Sequence, residues 1–246
     1  MLWMKILLSI LLTPVFYLLF GLTLLVFHPI QVICLNLFGY HVHKNSVALL
    51  NWFLLRSMSV MGVRIIFKNF QRLPDNLPKI VVCNHQSIWD IPPLIWKLKE
   101  HHLKFVSKKE LAKNIPSISY NLKYGGSVII DRSKPDEAIT LISKFANYLK
   151  GNNYAVCIFP EGTRSKDGNV SRFKHAGIEA IIKVAPNALV VPIAIKNAFK
   201  FDNGGKLLKT VGVSIEFTML EPRQLGLYNL PEQMEEIRSE ISETIS

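Results

Sequence analysis

The sequence predicts an α/β domain: a largely parallel mixed sheet flanked by helices, preceded by an N-terminal membrane-embedded helical segment. Three observations predict it. Short β-branched runs alternate with helix-periodic stretches from residue 63 onward. Polar clusters follow several of these runs, where an open parallel sheet forms its ligand crevice. Residues 6–43 contain no Asp, Glu, Lys or Arg.

Length and charge set the outer limits. A chain of 246 residues suits one domain of ordinary to large size, with room for a sizeable core. Its formal net charge of +11 favours an anionic partner: a phospholipid surface, a phosphorylated substrate or nucleic acid. Cys34, Cys83 and Cys157 are spaced too widely for a zinc site or a disulfide framework. Two of them lie in apolar strand-like runs, as buried free thiols do.

The N-terminal segment comes first. Residues 6–27 are long enough to cross a bilayer as a helix, which needs roughly 20 apolar residues. They are too long for the apolar part of a signal peptide, and no clear small-x-small cleavage site follows. His28-Pro29 interrupts the run, and a second apolar stretch covers residues 30–40. Two membrane arrangements fit: one span followed by an interfacial helix, or a hairpin dipped into one leaflet. Lys5 and Lys44 flank the pair and favour the hairpin, with both ends on the cytoplasmic side. A hairpin buried in a soluble core is the alternative. The expected division is a membrane anchor over residues 1–43 and an α/β domain over residues 44–246.

Residues 46–61 have the pattern of an amphipathic helix closed by Gly62, and residues 63–67 that of a strand. A polar loop covers 69–78. Residues 80–83 form a buried strand, with Asn84 and His85 at its carboxyl end. Pro92 and Pro93 are tolerated only in a first helical turn, so a helix starts near Ile91 with Asp90 at or close to its N-cap. If residues 84–89 form a turn rather than a helix, Asp90 can reach His85. A carboxylate on one imidazole nitrogen fixes the tautomer and leaves the other to take a proton. The plainer reading makes Asp90 a helix cap and His85 a hydrogen-bonded residue after a strand.

Six lysines lie between residues 97 and 113, among them Lys108, either a solvated face or a surface for anionic headgroups. Strands are expected at 103–107, 127–130, 154–159, 189–195 and 211–219. Helices are expected at 135–149, 178–184 and the C-terminus, where Met234, Ile237, Ile241 and Ile245 share a face. Asp131-Arg132 follows one strand, and Pro160-Glu161-Gly162-Thr163-Arg164-Ser165 follows another. Gly162 permits a tight turn, and Arg132 and Arg164 can each grip a phosphate through paired hydrogen bonds. For one arginine alone a surface ion pair, with Glu161 as a candidate partner, is the plainer reading; it is weaker for two at neighbouring strand ends.

These residues resemble a known family. The run from Asn84 through His85 to Asp90 matches the NHx4D motif of the glycerolipid acyltransferases, and Phe159 to Ser165 matches their FPEGTRS motif. Gly126 to Arg132 looks like the motif between them, and Val191-Pro192-Ile193 like the last. The resemblance covers about residues 62–217 and points to the 1-acylglycerol-3-phosphate acyltransferases of the PlsC type, known for a membrane-embedded two-helix segment. It implies acyl transfer from acyl-CoA or acyl-carrier protein to lysophosphatidic acid in phospholipid biosynthesis. His85 would be the general base and Asp90 would orient it. Glu161, Gly162, Thr163 and Arg164, with Arg132, would hold the phosphate, and Lys108 resembles a lysine that also faces it. It implies no metal and no cofactor beyond the acyl donor. No Gly-x-Ser-x-Gly elbow is present, which argues against an acyl-enzyme on Ser87. Competing functions are an acyltransferase for another lysolipid or glycerol 3-phosphate, and a non-catalytic module binding anionic lipid. Nucleic acid is not expected as a partner, since no recognition motif accompanies the charge.

Overall fold

The computed structural model describes residues 2–131 and 133–246. In chain order it forms α1 (Leu2–Val60), β1 (Arg64–Lys68), β2 (Lys79–Cys83), α2 (Ile91–Lys97), β3 (Lys104–Lys108), α3 (Ile118–Tyr124) and β4 (Val128–Ile130). There follow α4 (Pro135–Asn152), β5 (Ala155–Ile158), α5 (Ala176–Val184), β6 (Leu189–Lys196), α6 (Ala198–Asp202), β7 (Ser214–Met219) and α7 (Leu230–Ile245).

The strands make one sheet in the order β1-β7-β6-β2-β5-β3-β4. Every neighbouring pair is parallel except β6 and β7. β2 lies at its centre, and its five residues are all buried. Alternation decides which layer each one meets. Ile80 and Val82 pack with α4, α5 and α7, whereas Val81 and Cys83 pack with α1, α2 and α6. A strand covered on both faces needs a continuous apolar run, which is what Ile80 to Cys83 supplies.

α1 differs from the expected pair of helices meeting at His28-Pro29. The helix runs through Pro14 and Pro29 and breaks at Gly39, with φ 78° and ψ −174°. Proline costs a helix one internal hydrogen bond, which a long helix packed by its neighbours tolerates. The conformation at Gly39 suits glycine alone, because a Cβ there would strain the backbone. The result is a hairpin of arms 2–38 and 40–60, and the expected boundary at residue 43 falls inside its second arm. Leu24 and Phe27 of the first arm pack on Leu50 and Leu54 of the second.

The first arm has two unlike surfaces. Ser9, Thr13, Phe16, Leu24, Phe27 and Gln31 are buried. Met4, Leu11, Leu18 and Leu25, seven residues apart, are each more than half exposed. So Ser9, Thr13 and Gln31 face protein while Leu11, Leu18 and Leu25 face outward, the reverse of a helix on a water-soluble domain. The arm is long and apolar enough to cross a membrane.

α3 and α6 were not expected. Each is under eight residues, carries no side-chain N-cap hydrogen bond and follows a residue with positive φ, Ser117 or Asn197. Neither has a local signature of the kind that marks a helix start.

Candidate active site

The turn after β2 is built by one carboxylate. Oδ2 of Asp90 accepts hydrogen bonds from the backbone amides of Gln86 (2.8 Å) and Ser87 (2.9 Å), and lies 2.8 Å from Nδ1 of His85. Asp90 is fully buried. It does not cap α2 with its side chain. Instead it closes a capping box with Ser87 around the single 3-10 turn Ile88–Asp90. The Ser-x-x-Asp spacing that marks such a box stands in the sequence as Ser87 to Asp90. With Nδ1 held by the carboxylate, Nε2 is the ring nitrogen left for a proton. Phe159 stacks on the ring at a centroid distance of 4.1 Å.

Two further supports fix this turn. Asn84 bridges to β6, accepting from the Ile195 amide (2.7 Å) and donating to the Ile195 carbonyl (2.8 Å). Glu161 sits behind the turn. One of its oxygens accepts from the His85 amide (2.7 Å) and the other from the Ser171 amide (2.8 Å). Burial pushes its carboxyl up, against the two amide hydrogen bonds that pull it down. Glu161, expected to face a ligand, turns both oxygens to backbone amides here and ties the β5 turn to the β2 turn.

Behind His85 lies a buried chain of contacts. Trp89 donates through Nε1 to Oδ1 of Asp202 (3.1 Å), which also accepts from Nζ of Lys209 (2.7 Å). The Lys209 amide donates to Oγ1 of Thr13 on the first arm of α1 (3.2 Å). Phe16, from the same arm, meets Trp89 and Phe201 edge-on at 5.1 and 5.6 Å. Nothing in the spacing of these residues announces the link, because 196 positions separate Thr13 from Lys209.

A crevice of about 560 Å³ opens at the carboxyl ends of β2, β5 and β3, lined by His85, Lys108, Phe159, Gly162, Thr163 and Arg164 among others. These strands are neighbours in the sheet, which is why motifs far apart in sequence converge. That volume suits a small-molecule site. Gly162 has φ 73° and donates its amide to the Phe159 carbonyl at 3.0 Å. Thr163, Arg164 and Lys108 are exposed at the rim. Neither Arg164 nor Lys108 forms an ion pair among the described residues, so the alternative of an Arg164–Glu161 pair is not what the fold builds. Arg132 lies outside the described residues. Asp131, beside it, pairs with Lys109 at 3.6 Å. Cys83 is buried, and burial raises its thiol well above the usual range, so it is no nucleophile at neutral pH. Among the described residues no cluster of three or more His, Cys, Asp or Glu could hold a metal.

Comparison with known proteins places this geometry. The acyltransferase family model matches residues 64–196, which contain His85, Asp90, Lys108, Phe159, Gly162, Thr163 and Arg164. Human 1-acyl-sn-glycerol-3-phosphate acyltransferase beta is 28% identical over 74% of this chain and 64% of its own length. The alpha protein of Ovis aries is 28% identical over 57% of this chain and 50% of its own length. The chain thus spans half to two thirds of these relatives. The crystal structure of the 1-acyl-sn-glycerophosphate acyltransferase PlsC from Thermotoga maritima superposes with a TM-score of 0.78 at 22% identity, over 96% of this chain and 93% of that one, and supports the fold. With more than half its length matched by the family model, this chain belongs to the acyltransferase family.

Proposed function

We propose that this chain moves a fatty acyl group from the thioester of acyl-CoA or acyl-carrier protein to the sn-2 hydroxyl of lysophosphatidic acid, giving phosphatidic acid. The observation that carries it is the 2.8 Å contact of His85 Nδ1 with Asp90, inside a crevice whose rim bears the exposed cations Lys108 and Arg164. The relatives' names support the choice of acceptor.

His85 Nε2 takes the hydroxyl proton as the acceptor oxygen attacks the thioester carbonyl carbon. The tetrahedral intermediate then expels the thiolate, which regains a proton from the imidazolium. Asp90 holds the ring and balances its positive charge. The acceptor phosphate lies against Arg164 and Lys108, with Arg132 completing the grip, while Thr163 and the close-approaching backbone at Gly162 shape its seat. The reaction uses no metal and no cofactor apart from the acyl donor. Acyl transfer measured with purified protein, both donors and a panel of acceptors is the test. Faster turnover with glycerol 3-phosphate or another lysolipid would reassign the acceptor. Loss of no activity on His85→Ala would leave a lipid-binding module without chemistry.

The same proposal places the protein on a membrane, with the outward leucines of the first arm among lipid acyl chains and the domain on the cytoplasmic face. Full-length protein should stay with membranes through a wash in 1 M salt, because apolar insertion is not screened by ions. Release by salt alone would mean that the +11 charge, not the hairpin, holds it there.

A further inference from the structure

The amino-terminal end of β3 carries a second cluster of basic groups that the crevice does not use. Lys104 opens the strand and Lys108 ends it, so the two sites lie roughly 13 Å apart along the sheet. Lys104 is 4% exposed. Its ammonium donates to the Tyr40 hydroxyl (2.6 Å) and to the Gly125 carbonyl, both neutral acceptors. Burial, and then the neighbouring Lys44 ammonium, push it down to about 7. Beside it His43 is 1% exposed, and neither of its ring nitrogens has a hydrogen-bond partner among the described residues.

These side chains line a partly enclosed cavity of about 30 Å³, together with Lys44, Lys99 and His102. That is at least twice the space one water needs. No carboxylate lines it; Glu100, which reaches Lys44 through its field, is exposed outside. Buried cations are ordinarily paired, and buried imidazole nitrogens ordinarily hydrogen-bonded. Here a lysine and a histidine converge on one polar cavity while two more lysines stand at its edge.

We infer that this cavity is a binding site for a phosphate group, separate from the catalytic crevice. One oxygen would take the remaining Lys104 proton, another a His43 N–H, and Lys44 and Lys99 would close on the outer oxygens. The site lies directly after the Gly39 break, next to Leu37 and Phe38, which are 73% and 65% exposed. The same chemistry would hold the headgroup of a phosphomonoester lipid with its chains along the hairpin, or free phosphate.

The test uses full-length protein in detergent, melted with inorganic phosphate, dihexanoyl phosphatidic acid or dihexanoyl phosphatidylcholine, at ionic strength matched with KCl. A ligand at about a hundred times its Kd should raise Tm by roughly 5–10 °C. The rise should persist in Arg164→Ala, which disables the crevice's own phosphate grip, and vanish in the paired Lys44→Gln, Lys99→Gln variant. That variant changes only partly exposed side chains and so spares the fold, which Lys104→Met would disturb at a buried position. A rise with inorganic phosphate identifies the free ion, and one with phosphatidic acid alone identifies a lipid headgroup. The inference fails if KCl or phosphatidylcholine raises Tm as much, if nothing raises it, or if the rise is lost in Arg164→Ala and kept in the lysine variant. It stands or falls without reference to acyl transfer.

Discussion

Turnover of His85→Ala is expected to fall by ~10²–10⁴-fold or more, with donor and acceptor binding largely kept, because a hydroxyl nucleophile near neutral pH needs a positioned base. Asp90→Asn should be nearly as harmful, for reasons the geometry makes specific. Oδ2 of Asp90 accepts two backbone amides besides facing His85, and Oδ1 is buried with no hydrogen-bond partner among the described residues. An Asn oxygen can replace Oδ2, but its amide group then stands at the Oδ1 position with no acceptor. That costs about 1–3 kcal/mol of stability, and the charge opposite the imidazolium is gone. Had Asp90 been only a helix cap, Asn would serve almost as well. Joining Asp90→Asn to His85→Ala should add little, since groups acting as a unit are not additive. Turnover and melting temperature of the three variants decide it. An active, normally folded Asp90→Asn enzyme would remove Asp90 from the chemistry.

Arg164→Ala should raise the KM for lysophosphatidic acid roughly 10–100-fold, with a smaller effect on kcat and almost none on Tm. A hydrogen bond to a charged group is worth about 1.5–3 kcal/mol, and the exposure of Arg164 at the rim argues for the lower part of that range. The absence of an ion pair for Arg164 among the described residues is why stability should not suffer. Steady-state kinetics with varied acceptor and fixed donor read the effect. An unchanged acceptor KM with a raised donor KM would hand Arg164 to the acyl carrier.

What was legible in the sequence was whatever depends on local pattern. β2 reads from four consecutive apolar residues, the start of α2 from Pro92-Pro93, and the reach of Asp90 to His85 from the need for a turn between them. The meeting of His85 and Arg164 followed from the rule that parallel strands open their crevice at one end, whereas Lys108 was marked only by the family resemblance. What was not legible depends on partners distant in the chain. Glu161 looks like a ligand residue in its motif, and only the fold shows both its oxygens turned to the amides of His85 and Ser171. The hairpin turn went to His28-Pro29 because proline is the louder punctuation; tertiary packing carried the helix past it to Gly39. The burial of Lys104 is invisible in a run of lysines, since burial is not a property of a run.

The hydrogen bond between Thr13 and Lys209 also orders events in time. The first arm of α1 leaves the ribosome well before Phe201 and Lys209, which it packs against. At ~5–20 residues per second the 196 positions between Thr13 and Lys209 take roughly 10–40 s to translate. Throughout that interval the helix has no finished domain to cover Phe16, and its leucines are open to whatever apolar phase is nearest. A lipid surface can take it up at once and hold it until the last strand arrives to dock beneath. The nascent chain would then be a membrane protein before it is an enzyme. Chains stalled short of residue 201 should already fractionate with membranes; if they remain with soluble ribosomes, the domain and not the bilayer is the first cover the helix finds.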